Sequence, residues 1–166
     1  MPGHAPFGWV SILWPSAGGC WGGCGASAGW LTFGALPAGS VQRMTLGSGA
    51  LHSEQNASET EPMRFIQIWI LPSQGGLEPG VEQKIFTTDD RTNRLLEAMS
   101  SDGGEAVKVN GDARVFISRL ESGHQVTHEF SGERAGYLYA ISGAVDVKAD
   151  YGFFAQERLR QRPRQT

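Results

Sequence analysis

With 166 residues, a net charge of −3 and 40% hydrophobic residues, the chain has the length of one domain, roughly 100–200 residues, and can bury a core. This charge balance offers no footprint for nucleic acid, and no apolar run reaches the ~18 residues of a membrane-spanning helix. Cys20 and Cys24 are the only cysteines; a lone CxxxC makes no disulfide framework and a weak zinc pattern, so they read as incidental thiols. The start lacks basic residues and Pro15 cuts short the apolar stretch 10–14, so no secretory signal is predicted and a cytoplasmic location is expected.

Residues 1–35 read unlike the rest. Across residues 1–42 there is no Asp, Glu, Lys or Arg, yet Trp9, Trp14, Trp21, Trp30, both cysteines and ten glycines fall there. Glycine at that density is entropically costly to order, tryptophan favours burial, and no helical or strand period is present. One hypothesis for the mismatch is a displaced reading frame, or an unrelated start, joined to a genuine cupin-like segment near Leu36. Translating the coding DNA in the other frames tests this, and finding no upstream His-x-His in any frame rejects it.

From Leu36 the pattern is that of a β protein. Residues 41–46 predict a short strand, Gly47-Ser48-Gly49 a turn, residues 51–54 a second strand and 56–62 a polar loop. Residues 63–71 are the strongest strand, rich in β-branched and aromatic residues and closed by Pro72. Both its faces are largely apolar, Phe65, Gln67, Trp69 and Leu71 on one and Ile66, Ile68 and Ile70 on the other, which predicts packing on two sides. Prolines and glycines make 72–80 a loop. Residues 95–99 read as a strand or a short helix. Segments 107–110, 113–120, 125–130, 137–142 and 144–148, punctuated by Gly111, Gly123, Gly132 and Gly143, predict a β meander. Residues 155–162 predict a short basic helix ended before Pro163, with Arg158, Arg160, Arg162 and Arg164 on a solvated, frayed terminus.

The chemistry concentrates at His52-Ser53-Glu54. Alternate residues of a strand share a face, so His52 and Glu54 suit one ion from one strand. Imidazole with carboxylate fits Fe(II) or another divalent first-row metal. Two protein donors are fewer than the three or four such sites use. His124 and His128 make a poor second pair, because four residues of strand span about 13 Å. Trp69, Phe65 and Phe116 read as core before pocket wall, and Ser53 has no neighbouring base that would make it a nucleophile.

The residues Leu36-Pro37-Ala38-Gly39, Val41-Gln42-Arg43-Met44-Thr45, Gly47-Ser48-Gly49, His52-Ser53-Glu54, Thr60-Glu61-Pro62, Phe65-Ile66-Gln67-Ile68-Trp69-Ile70-Leu71-Pro72 and Glu82-Gln83-Lys84 resemble the pirin family. Fainter likeness follows at Val126-Thr127-His128 and at Ala140-Ile141-Ser142-Gly143-Ala144-Val145. The resemblance implies an all-β cupin, a double-stranded β-helix or β-sandwich barrel, here as an incomplete bicupin. The expected order is an atypical Gly/Trp-rich segment 1–35, the remnant of an N-terminal cupin 36–75, a C-terminal cupin 76–150 and a divergent basic tail 151–166.

The family holds its metal, usually iron, with a His-Pro-His pair and a His-x-Glu pair, and the latter falls on His52 and Glu54. The His-Pro-His pair has no counterpart; His4 is the nearest histidine and stands alone. The resemblance further implies quercetin 2,3-dioxygenase-like oxidation of a flavonol, with Glu54 as catalytic base for the flavonol hydroxyl. Two other readings are a non-catalytic cupin that binds a protein partner, in the manner of a transcription cofactor, and a non-functional truncated product. Neither nucleic acid nor membrane is an expected partner. Glu82-Gln83-Lys84 has no evident chemical role.

Overall fold

The computed structural model describes residues 8–14, 20–26, 29–47, 50–56, 58–62, 64–148, 153–155 and 160–161, with side chains described at 36–47, 56, 58–62 and 64–148. In chain order the elements are β1 (Gly8–Trp14), β2 (Cys20–Ala26), β3 (Gly29–Leu36), β4 (Ser40–Thr45), β5 (Ala50–Asn56), β6 (Arg64–Ile70) and β7 (Gly80–Ile85). There follow α1 (Thr88–Arg91), β8 (Leu96–Ser100), β9 (Val107–Lys108), β10 (Val115–Ile117), β11 (Gly136–Leu138), β12 (Asp146–Val147), β13 (Phe153–Ala155) and β14 (Arg160–Gln161). The fold class is all-β, as the patterning predicts. No helix among the described residues is long and apolar enough to cross a membrane.

The chain divides into two compact units, Met1–Val126 and Thr127–Thr166. The first holds an antiparallel sheet ordered β6-β1-β4-β7, an antiparallel sheet ordered β3-β2-β5, and a sheet ordered β10-β8-β9. The core of this unit is Val41, Ala98, Met99, Val107, Val109 and Ile117, against which Ile68, Ile70, Phe86, Leu96 and Val115 pack. β4 is buried along nearly its whole length, so its polar side chains need internal partners. The Ser40 hydroxyl donates to the Pro37 carbonyl at 2.6 Å, Gln42 Nε2 donates to Gln83 Oε1 at 3.2 Å, and Thr45 Oγ1 accepts from Asn110 Nδ2 at 3.0 Å.

β7 gives the Glu82-Gln83-Lys84 run a structural role that the sequence leaves blank. It pairs with β4 in the register Arg43↔Glu82, Gln42↔Gln83 and Val41↔Lys84. Glu82 takes the Arg43 guanidinium at 3.3 Å and the Lys108 backbone N–H at 3.2 Å. Lys84 Nζ donates to the carbonyls of Gly104 and Ala106 at 2.6 and 2.8 Å. Glu82 and Gln83 thus tie β7 to β4, Glu82 also reaches β9, and Lys84 ties β7 to the segment just before β9.

α1 is absent from the sequence expectation, although its signal is local. Thr87 and Asp90 form a reciprocal capping box: Thr87 Oγ1 accepts from the Asp90 N–H at 3.2 Å, and the Asp90 carboxylate accepts from the Thr87 N–H at 2.7 Å. The Thr87 hydroxyl, followed by its backbone N–H and Arg94, holds the Asp90 carboxyl below the usual aspartate range. Arg91, at the end of the turn, is buried. Burial, then the charge of Arg119, lowers its guanidinium from the ordinary arginine value.

Several expectations are corrected. Residues 1–35 lack a strand period, yet β1, β2 and most of β3 lie there; ladder hydrogen bonds use backbone groups that every non-proline residue carries, so flanking strands impose what side chains do not. The 95–99 segment is the strand β8, paired antiparallel with β10 and parallel with β9. The β meander fails, because residues 125–130 form no strand and the pairs β8–β9, β11–β13 and β12–β14 are parallel, which hairpins cannot join. Arg160 and Gln161 lie on β14 and not on a basic helix; residues 156–159 and 162–166 lie outside the described residues. Finally, β6 is covered on one side only. Ile68 and Ile70 pack on the core, whereas Phe65, Trp69 and Leu71 stand 40%, 62% and 69% exposed.

Candidate metal centre on the β5 strand

β5 places His52 and Glu54 two residues apart on one strand, hence on the same face. Two local devices set its ends. At the entrance, Gly47 has φ +56°, and a Cβ there would lie 2.7 Å from Pro79 Cγ, so only glycine fits this turn. At the exit, Asn56 Nδ2 donates to the Glu61 carbonyl at 2.6 Å while Asn56 Oδ1 accepts from the Ser58 N–H at 3.1 Å. Ser58 Oγ then accepts from the Glu61 N–H at 2.9 Å. The polar loop read from the sequence is thus knotted to the last residue of the site strand by Asx- and Ser-type turns.

The edge partner of β5 is β2, in the register Cys24↔His52, Gly22↔Glu54 and Cys20↔Asn56. Residues directly opposite in an antiparallel pair share a face, with Cβ atoms about 4.5–5.5 Å apart. Positions 22, 24, 52 and 54 therefore lie together on one face of the β3-β2-β5 sheet. Gly22 brings no Cβ to the position facing Glu54.

The other candidates fall elsewhere. His4 lies outside the described residues. The His124 N–H donates to the Glu121 carbonyl at 3.1 Å in a turn, and the His128 ring meets Phe130 edge-on with centroids 4.8 Å apart; both serve local structure. The Arg114 guanidinium sits 5.1 Å over the Phe116 ring and pairs with Glu97, which, ahead of the charges of Glu97 and Asp102, raises its pKa. Among the described side chains, no three His, Cys, Asp or Glu converge as a metal-binding group. An open cleft of about 310 Å³, lined by Ser73, Gln74, Ser101, Lys108, Asn110 and Asp112 among others, takes none of its lining from β5.

Comparison with known proteins bears on this strand directly. The Pirin family profile matches residues 32–70, and the family described as the quercetinase C-terminal cupin domain matches residues 98–151. A pirin-like protein of Caulobacter vibrioides is 38% identical over 112 residues, which cover 66% of this chain and 48% of that one. A quercetin 2,3-dioxygenase of Escherichia coli is 33% identical over 112 residues, 68% of this chain and 48% of the relative. The chain thus spans about half the length of the curated relatives it matches. Among solved structures, the bacterial pirin YhhW of Escherichia coli in complex with nickel(II) superposes with a TM-score of 0.65 at 28% identity, over 79% of this chain and 53% of that one. The crystal structure of YhhW without that designation gives 0.57 at 30% identity, over 68% and 45%.

Proposed function

The chain belongs to the pirin family and shares its all-β cupin fold, and on that premise we propose that it binds a divalent first-row metal through His52 and Glu54 and oxidises a flavonol-like small molecule as a quercetin 2,3-dioxygenase-type enzyme. The observation that carries this reading is the strand β5, where a His-x-Glu pair shares one face between a glycine-only turn and an Asn56-tied loop. The donor chemistry fits the group: a neutral imidazole and a carboxylate suit Fe(II), Ni(II) and their neighbours. The relative in complex with nickel(II) supports a divalent ion, and Fe(II) is the other candidate. The first cupin segment would be 36–75 and the second 76–150, with 1–35 and the basic tail 151–166 outside them. A cytoplasmic location suits this reading.

A bound metal would supply Lewis-acid and redox chemistry toward the enolic hydroxyl of a flavonol and dioxygen. The chain's own residues do the rest. His52 would hold the ion from the middle of the strand, and Glu54 would serve both as donor and as the base that takes the flavonol hydroxyl proton.

Metal analysis of the purified full chain with His52→Ala as control tests the proposal. Stoichiometric metal that is lost in His52→Ala sustains it; a chain that takes up no metal at any ratio refutes it. In the metal-loaded protein, Glu54→Gln is expected to lower flavonol oxidation by roughly 10²–10⁴-fold, the usual contribution of general base catalysis.

A second reading, a non-catalytic cupin that binds a protein partner, draws on one observation. Phe65, Trp69 and Leu71 form an exposed apolar row along β6, the kind of patch that marks interaction surfaces.

A further inference from the structure

We propose that β6 is a self-pairing edge: two copies of this chain join antiparallel through Arg64–Ile70, about a two-fold axis at Gln67, into a weak closed dimer. The inference rests on the exposed row of the second reading, names its partner, and is independent of the metal. Among the described residues β6 ends its sheet, hydrogen-bonded on one side only, to β1. Such an edge presents backbone N–H and C=O groups that template another strand. Natural edges are blunted by Lys, Pro or a bulge. Here the register with β1 runs without a bulge, Arg64 is the only charge, and the first proline is Pro72. Beyond Ile70 the chain is engaged by another segment: the Ser73 N–H donates to the Asn110 carbonyl at 2.7 Å, and a Cβ on Gly111 would lie 2.6 Å from the Leu71 carbonyl oxygen.

The order of residues on the strand selects a second copy as the partner. Phe65-Ile66-Gln67-Ile68-Trp69 reads aromatic, Ile, Gln, Ile, aromatic in both directions, and a two-fold interface requires such self-complementarity. Antiparallel pairing centred on Gln67 puts Phe65 opposite the partner's Trp69, Ile66 opposite the partner's Ile68, and Gln67 opposite the partner's Gln67. Aromatic and β-branched cross-strand pairs are the stabilising units of a sheet. On the second face Ile68 already packs on the core, so the apolar layer continues across the axis. Each β6 edge is then used once, and the assembly stops at two chains.

The size of the row sets the strength. Phe65 and Trp69 are 40% and 62% exposed, which leaves roughly 200 Å² of aromatic surface per copy at ~150–250 Å² for a whole side chain. A standard stable interface takes about 800 Å² from each partner. The dimer is therefore a concentration-dependent one.

The test is sedimentation velocity of the full chain over a concentration series, comparing wild type with Phe65→Glu, Trp69→Lys, the two combined, and Gln67→Lys, each with circular dichroism matching wild type. Wild type is expected to pass from monomer to dimer as concentration rises. Each single substitution should raise the dissociation constant more than about tenfold, as loss of an anchoring aromatic or a like-charge pair on the axis does. The combined variant should recover association, because the introduced charges face each other across the axis, whereas within one chain they stand about 13 Å apart. A wild type that stays monomeric up to its solubility limit overturns self-pairing and leaves the row to a different protein. Association unchanged in every variant overturns β6 as the interface. A combined variant no better than the singles overturns the Gln67-centred register, and growth into large species without a dimer plateau overturns closure.

Discussion

The region from β4 to β10 and the unit Thr127–Thr166 are built in different ways. In the first, Val41, Ala98, Met99 and Val107 are wholly buried, and the Glu82-Gln83-Lys84 run binds β7 to its neighbours through charged and amide side chains. In the second, the pairs β11–β13 and β12–β14 are two or three residues long, and Phe130, Tyr137 and Tyr139 stand 41%, 69% and 47% exposed. None of the buried hydrophobic residues among those described comes from that unit. Stability on this account resides where side chains interlock, and strand pairing alone adds little, since isolated two-stranded pairs are marginal in water.

Four substitutions test that contrast. The largest effect is expected from Met99→Ala, which empties a fully buried position and should cost about 2–5 kcal/mol in chemical denaturation. A loss under ~1 kcal/mol would mean that the core does not hold this region. Glu82→Ala comes next. It removes the acceptor of Arg43 and of the Lys108 N–H, but the side chain is 31% exposed, so the expected loss is about 1–2 kcal/mol after solvent screening.

Thr87→Ala should cost about 1 kcal/mol through the lost cap, and it carries a pH signature. Asp90 is held below its unfolded value, so its contribution is present above the ordinary aspartate range and is lost as pH falls through the lower folded value. The variant should show a smaller acid-side loss, because the backbone N–H of residue 87 and Arg94 still favour the charged carboxylate, and titrating stability from neutral to acid pH checks the sign. The smallest effect belongs to Tyr137→Ala in the second unit, within about 0.5 kcal/mol. A loss comparable to that of Met99→Ala would collapse the distinction between the regions.

Much of the fold was legible locally. Residues 41–46 and 63–71 predicted β4 and β6 to within a residue or two, because dense β-branched and apolar runs bounded by glycine or proline have few other uses. The Thr87–Asp90 box was equally local and went unread. Other features were not in the local sequence. The glycine-rich β2 has no pattern of its own and is a strand because β3 and β5 flank it. The exposed row on β6 looked like core because apolar content reports the capacity for burial and not whether a layer arrives to use it.

For the site itself the division is clear. The local sequence is enough to put His52 and Glu54 on one face of a strand, since a period of two needs no knowledge of neighbours, and the surrounding motifs point to the family. What stands across from that pair depends on the pairing of distant strands. The β2–β5 register puts Cys24 opposite His52 and Gly22 opposite Glu54, and register is set by the cooperative pairing of distant strands, where a slip of one residue would send every side chain to the other face.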